Sequence, residues 1–162
     1  MKILSIQSNK LYLDLETVYP NNSCNYKHAL PVYNRLFKDY NDKFKTNYKS
    51  FFWGFSKLCA DNDLEYAIYR ALEMLQTDLD NKQILILDVP DDICLETDFY
   101  NFSDEIFAYE NPQELASNWD KIYEKRESGR QVIFPFIKKE WLIGSMKDYK
   151  VSEDFLKPLQ LF

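Results

Sequence analysis

The stretch Gln83–Phe99, QILILDVPDDICLETDF, holds the densest run of aliphatic residues in the chain and also its densest run of acids. The aliphatic run is residues 84–87, and the acidic turn 88–92 follows it at once. A short apolar run bounded by turn-forming residues predicts a β-strand. Because this strand is apolar on both faces, both faces are expected to be covered. We therefore predict a buried strand that ends in an acidic turn.

The patterns on either side predict strands near both ends of the chain and helices between them. Strands are predicted over Lys2–Ile6, Leu11–Val18, Cys94–Phe99, Gln131–Ile137 and Trp141–Ile143, the first two as an opening hairpin. Helical patterns cover Pro31–Phe44, Asn62–Gln76, Ser103–Tyr109 and Asn111–Tyr123, the last from a cap, proline and glutamate signature. A loop is predicted over Pro20–Tyr26, and the tail Val151–Phe162 is predicted to pack against the rest of the domain. The secondary structure of Tyr48–Cys59 stays open, because Gly54 interrupts the segment.

The fold class that follows is α+β. A chain of 162 residues is expected to form a single domain that buries roughly 68–70% of its unfolded surface. Strands gathered at both ends favour a mixed or antiparallel central sheet with three or four packed helices over a strict βαβ alternation.

Composition excludes several function classes. Three glycines cannot form a dinucleotide or P-loop phosphate motif, and one histidine cannot form a multi-histidine zinc site. The three cysteines form no CxxC pair, which favours a reducing cytoplasm over a disulfide framework. The formal charge of −6 disfavours nucleic acid and anionic membranes, and no apolar run is long enough to span a bilayer. No cofactor and no metal site are predicted.

Two charged segments each allow two interpretations. The carboxylates of residues 88–98 could hold a divalent cation, but without the spacing of a known ion loop a solvated acidic rim is favoured. The segment Arg35–Lys57 mixes six basic residues with aromatic rings, as a base-stacking platform does, yet core packing predicts the same letters. Core packing is favoured, but the apolar pattern does not assign Trp53 and Lys49 to the core. The single histidine, His28, is interpreted as a solvated or packing residue rather than a general base.

Several phrases resemble an uncharacterised bacterial family, the domain of unknown function numbered thirty-eight forty-one. The matching letters are SIQ at 5–7, FFWGF at 51–55, DVP at 88–90, ETDF at 96–99, WDKIY at 119–123, RQVIFP at 130–135 and KEWL at 139–142. The resemblance covers mostly residues 49–143, and the first 30 residues depart from the family pattern. Membership implies no activity.

A weaker analogy is with small ADP-ribosyltransferase-like folds, in which an opening strand and a late strand flank a nicotinamide pocket and the late strand carries a glutamate. Gln7 and Gln131 occupy the corresponding places here, and Trp53 and Asp98 complete the candidate ligand-binding set. Because Gln131 cannot ionise, such a site could bind a nucleotide without turning it over, or could use Glu140 or Asp98.

Two functions follow as hypotheses. The first is a binding or interaction protein with an exposed aromatic and acidic surface and a protein partner. The second is a nucleotide-handling enzyme with the four candidate residues in one cleft. The sequence predicts no particular oligomeric state.

Overall fold

The computed structural model describes residues 1–8, 10–11, 13–20, 27–57, 82–124 and 129–146. Its strands are β1 (Lys2–Ser8), β2 (Thr17–Val18), β3 (Phe52–Lys57), β4 (Lys82–Asp88), β5 (Leu95–Asp98), β6 (Arg130–Phe134), β7 (Ile137–Lys138) and β8 (Leu142–Met146). Its α-helices are α1 (Leu30–Phe44) and α2 (Phe99–Glu110). Short 3-10 segments cover Lys27–Ala29, Asp91–Ile93, Trp119–Tyr123 and Lys139–Trp141.

Six strands form one antiparallel sheet in the order β5-β6-β3-β1-β4-β8, and β2 pairs with β7 in a separate two-stranded ribbon. The α+β class and the antiparallel sheet are therefore confirmed. The prediction of three or four helices is wrong for the described residues, which contain two α-helices. One predicted helix, Asn62–Gln76, lies outside the described residues, as do most of the predicted Pro20–Tyr26 loop and the whole Val151–Phe162 tail.

The prediction for the central stretch is confirmed. Strand β4 lies between β1 and β8, and its residues 83–87 are all buried. It pairs with β1 along seven residues, from Lys2 opposite Asp88 to Ser8 opposite Lys82. Asp88 is exposed, and the chain then turns through the 3-10 segment Asp91–Ile93.

The sheet separates two apolar cores because its strands alternate side chains between two faces. The face towards the ribbon carries Ile3, Leu85, Leu87, Val132 and Phe134. The face towards the helices carries Leu95 and Ile133, which pack with Tyr33, Leu36 and Phe102 of α1 and α2. We call these the ribbon-side core and the helix-side core.

The predicted opening hairpin is wrong. Strand β1 pairs with β3 on one side and with β4 on the other, so it has no edge left for residues 11–18. The Leu11 amide instead donates to the Ser8 carbonyl at 3.0 Å, which starts a turn. Of the described residues between 10 and 20, Thr17 and Val18 form a strand, and they pair with β7.

The predicted helix over Asn111–Tyr123 is also wrong, because a buried carboxylate competes for its backbone. Glu105 of α2 accepts hydrogen bonds from the Asn118 amide at 2.5 Å and from the Ser117 hydroxyl at 2.6 Å. Residues 112–114 form a turn, and residues 115–118 are not helical before the 3-10 segment Trp119–Tyr123. A helix here would bury Leu115, Trp119, Ile122 and Tyr123 on one face; in the structure Trp119 and Ile122 are buried, whereas Leu115 and Tyr123 are each 37% exposed.

Among the described residues, no helix combines the length and the apolar character needed to cross a membrane.

The thiol of Cys94 is expected to react slowly in the folded protein. It is buried, its Sγ lies 3.3 Å from the Pro90 carbonyl, and burial raises its pKa to about 12. Against an ordinary cysteine pKa of about 8.5, the reactive thiolate is scarcer by roughly a thousandfold at neutral pH. In a Cys24→Ser/Cys59→Ser background, maleimide labelling at neutral pH should be at least about a hundredfold slower in buffer than in denaturant. Equal rates in the two conditions would contradict the buried placement.

Candidate binding surface

The structure places Gln7 on the ribbon side of β1. Its Nε2 donates to the Ser5 hydroxyl at 2.8 Å, and that hydroxyl donates to the Trp53 carbonyl at 2.5 Å. Gln83 lies directly opposite Gln7 on β4 and donates to the Ser8 carbonyl at 2.9 Å. Ser5 and Gln83 are buried, so these polar groups are used mainly in holding β1, β3 and β4 together.

The Trp53 and Gln131 side chains lie on the opposite, helix side of the sheet. The Trp53 ring contacts Tyr33 at 5.5 Å and Phe102 at 5.8 Å between ring centroids. Gln131 pairs with Phe55, which also faces the helices, and is 4% exposed. Within the described part of the chain, its Nε2 has no hydrogen-bond partner.

Asp98 ends β5 and caps α2, since its Oδ1 accepts the Asn101 amide at 2.8 Å. A carboxylate at a helix N-cap is a common structural use of aspartate. The candidate set therefore does not share one face of the sheet, because Gln7 lies across it from Trp53 and Gln131. Ligand binding by any of these residues stays a prediction, but the geometry does not favour one cleft formed by all four.

Contacts in the structure also bear on the two interpretations of each charged segment. In Arg35–Lys57 the rings of Tyr40, Phe51, Phe52 and Phe55 are buried, so the core interpretation is confirmed for them. The Lys2 ammonium bonds to Asp88 at 2.5 Å and holds the pKa of that carboxyl below its usual range. The described residues include no group of three or more side chains placed to hold a metal ion.

Among the described residues, the most exposed large apolar side chains flank strand β2 of the ribbon. Tyr19 is 61% exposed and Leu15 is 56% exposed, whereas Val18 between them is 7% exposed. Val18 pairs with Ile137, and both point into the ribbon-side core. Tyr19 follows the inward-facing Val18, and Leu15 lies in the bend that precedes β2. On the other strand, Phe136 and Lys138 flank Ile137; Phe136 is partly buried and packs against the ribbon-side core.

Ring contacts hold this outer surface together. Phe136 stacks on Trp141 at 5.4 Å with an interplanar angle of 27°. It also contacts Tyr19 at 5.9 Å and Tyr48 at 6.4 Å. Because Trp141 is buried, the stack anchors the outer rings to the ribbon-side core.

Lysines surround the rings. The Lys138 ammonium lies 5.7 Å from the Trp141 ring centroid and 3.9 Å from the Glu140 carboxylate. Lys139 is exposed, and its amide donates to the Glu16 carbonyl at 3.0 Å. Lys49 is exposed beside Ser50, whose hydroxyl donates to the Pro20 carbonyl at 3.4 Å. We define the ribbon face as Leu15, Tyr19, Lys49, Phe136, Lys138 and Lys139.

The sequence contained a signal for this surface that the predicted hairpin concealed. Leu11, Leu13 and Leu15 occupy odd positions and Val18 an even one, so a single regular strand cannot bury Leu15 and Val18 on the same face. The structure buries Val18 and exposes Leu15. Lys49, which the apolar pattern did not place, belongs to the same surface.

Comparisons of the chain with protein-family models, with curated proteins and with solved structures found no match. The resemblance to the bacterial family therefore stays a prediction.

Proposed function

We propose that this protein is a binding protein whose ribbon face docks a protein partner that presents apolar side chains. The observation that carries the proposal is the exposure of Tyr19 and Leu15 at 61% and 56%, on a ribbon whose other face is buried. Exposed aromatic and aliphatic groups gathered on a small, supported surface are typical of protein-binding sites.

The rigidity of the ribbon face supports this proposal. Tyr19 packs on Phe136, which is stacked on the buried Trp141, so these rings keep their positions before a partner arrives. Tyrosine contributes a large contact area with few rotatable bonds, and pre-organised groups lose little entropy on binding. Leu15 lies just before β2 and Tyr19 directly after it, so the two exposed side chains stand at the two ends of this short strand.

The charges around the rings are of both signs. Lys49 and Lys139 are exposed on one side, and Asp14, Glu16 and Glu140 are exposed beside Leu15 and Lys138. Charged groups at the rim of an apolar patch select partners of complementary charge and speed their association. The rim therefore favours a partner that carries charges of both signs around its apolar side chains.

A nucleotide or single-stranded nucleic acid also combines stacking with negative charge. Tyr19 is the one open ring of the ribbon face for it to stack on, because Phe136 and Trp141 cover each other's faces and Trp141 is 8% exposed. The overall charge of −6 opposes nucleic acid further. A protein partner is therefore favoured.

The proposal is tested by selecting peptides from a displayed random library on the immobilised protein and measuring their affinity for variants. We expect the selected peptides to be enriched in apolar residues. Leu15→Ser/Tyr19→Ser should weaken their binding by about tenfold or more, since each truncation removes a central apolar contact. Ile143→Ser, at a side chain that is 45% exposed elsewhere, is the matched control and should leave affinity unchanged.

Selected peptides that bind the Leu15→Ser/Tyr19→Ser variant as tightly as the wild type would overturn the proposal. A thermal-shift series with NAD, mononucleotides and short oligonucleotides separates the other ligand class. A stabilising nucleotide whose effect disappears in the same variant would replace the protein partner with a nucleotide.

A further inference from the structure

A series of aromatic rings in contact runs through the helix-side core. The Trp53 ring centroid lies 5.8 Å from that of Phe102, which in turn lies 6.3 Å from that of Trp119. Tyr33 contacts both Trp53, at 5.5 Å, and Phe102, at 5.4 Å. Such pairs stabilise a core by packing. Indole and phenol rings are also side chains that can give up a single electron, so the series is a path for one-electron oxidation.

At one end of this series, a single carboxylate oxygen binds two rings. Oδ2 of Asp39 accepts the Trp119 indole N–H at 2.6 Å and the Tyr123 hydroxyl at 2.6 Å. The two donors share one acceptor atom, so they lie close together. Trp119 is 7% exposed, whereas Tyr123 is 37% exposed. The pair therefore connects the buried rings to the protein surface.

The groups around this pair favour oxidation of Tyr123 over oxidation of Trp119. A phenol that loses an electron at neutral pH must also lose its proton, and the Asp39 carboxylate is a base placed to accept it. The Arg35 guanidinium lies 4.4 Å from the Trp119 ring centroid, and a cation at that distance disfavours a positive charge on the indole.

Tyr40 in the same core provides a contrast. It is 1% exposed, and its hydroxyl donates to the Ile93 backbone carbonyl at 2.8 Å, an oxygen that does not take up a proton at neutral pH. Burial raises the pKa of both Tyr40 and Tyr123, so both are neutral phenols at neutral pH. Oxidation of Tyr40 would leave a positive charge in an apolar core, which is costly. Tyr123 can instead pass its proton to Asp39.

We propose that Tyr123 is the outlet through which one-electron oxidation of the buried tryptophans leaves the protein. A diffusing radical oxidant takes one electron from Trp53 or Trp119. Tyr123 then supplies an electron that restores the indole, its phenolic proton moves to Asp39, and a neutral phenoxyl radical remains at the surface. A soluble thiol returns one electron to the phenoxyl oxygen, and the proton returns from Asp39. The thiol becomes a thiyl radical and releases its own proton to solvent, so the protein is regenerated.

Oxidation of the wild type by azide radicals, which react preferentially with tryptophan, tests the inference without any substitution. A nitroso spin trap followed by peptide mass spectrometry should locate the adduct chiefly on Tyr123. Direct attack on exposed rings predicts Tyr19 and Tyr109 instead, which are 61% and 49% exposed. Adducts chiefly on those two tyrosines, or on tryptophan, would overturn the inference.

Pulse radiolysis of variants measures the transfer step. In the wild type, indolyl absorbance should decay as phenoxyl absorbance grows, at a rate independent of protein concentration. Tyr123→Phe keeps the ring but removes the phenol, and this phase should be lost. Asp39→Asn keeps an acceptor oxygen but removes the base, and should slow the phase by about tenfold or more. Tyr109→Phe, at an exposed tyrosine outside the series, is the matched control and should keep the wild-type rate.

A phase that persists unchanged in Tyr123→Phe would overturn the inference, as would a phase that Tyr109→Phe removes equally. Melting temperatures are measured for each variant, because Asp39 also ties Trp119 to α1. If Asp39→Asn does not fold, Tyr123→Phe and the position of the wild-type adduct still decide. A purely structural role of the Asp39 hydrogen bonds predicts lower melting temperatures together with an unchanged adduct position and rate.

Discussion

Phe134→Ala is expected to lower the free energy of unfolding by about 3–5 kcal/mol. The Phe134 side chain is 0% exposed on β6, and its ring lies 5.9 Å from that of Phe52 on the paired strand. It sits in the ribbon-side core together with Ile137 and Trp141. Truncation removes the ring from apolar surroundings and leaves a cavity that neighbouring strands cannot close without breaking their register. Because the free energy of unfolding of a small protein is about 5–15 kcal/mol, this loss is a large share of the total stability.

Urea unfolding followed by tryptophan fluorescence measures the effect as a shift of midpoint at constant slope. Phe107→Ala is the matched control, since Phe107 is 43% exposed on α2 and should change stability by less than about 0.5 kcal/mol. Phe134→Leu should fall between the wild type and the alanine variant. A loss below about 1 kcal/mol for Phe134→Ala would place this ring outside the core.

The ribbon links this core to the proposed surface. Val18 and Ile137 bury one side of the ribbon, and that burial anchors the chain next to the exposed Tyr19. A core variant that loosens the ribbon is therefore expected to weaken partner binding without touching an exposed residue. The contrast between Phe134→Ala and Phe107→Ala thus bears on docking as well as on stability.

Elements whose burial is decided locally could be predicted from the sequence. β4 carries four consecutive aliphatic residues, and α1 repeats apolar residues at helical spacing, so each pattern leaves one reasonable structure. The hairpin failed because pairing is decided by which strand edges are open, and β1 has partners on both sides. Nothing within residues 2–18 carries that information.

The segment 111–123 shows a different limit. Its cap, proline and glutamate signature is a genuine helix start, yet Glu105 from the preceding helix takes the Asn118 amide. A tertiary hydrogen bond to a charged group, worth about 1.5–3 kcal/mol, outweighs local helix propensity. The candidate ligand-binding residues failed to gather for a related reason. Alternation shows which residues of one strand share a face. Which side of the sheet that face lies on depends on the whole topology.

Gly54 is the residue that the sequence left undecided, and substituting it is the second large effect. It lies within β3 opposite Val132, between Phe52 and Phe55. A Cβ at this position would overlap Cγ2 of Ile3 and lie 2.9 Å from the Leu4 carbonyl oxygen on the neighbouring strand. Gly54 is therefore needed for close strand approach, a usual role of glycine inside a sheet. We expect Gly54→Ala to destabilise the protein by about 3 kcal/mol or more, at the upper end for overpacking.

A double-mutant cycle with Ile3→Ala separates the two overlaps. Ile3 is 0% exposed, so Ile3→Ala alone should cost about 2–5 kcal/mol. In the double variant the Cβ of the new alanine occupies part of the space left by Cγ2, and the combined loss should fall short of the sum by about 0.5–3 kcal/mol. The rescue should be partial, because the Leu4 carbonyl belongs to the backbone and cannot be removed. Strictly additive losses would mean that β1 and β3 are farther apart at Gly54, and the fixed position of Ser5 against the Trp53 carbonyl would lose its basis.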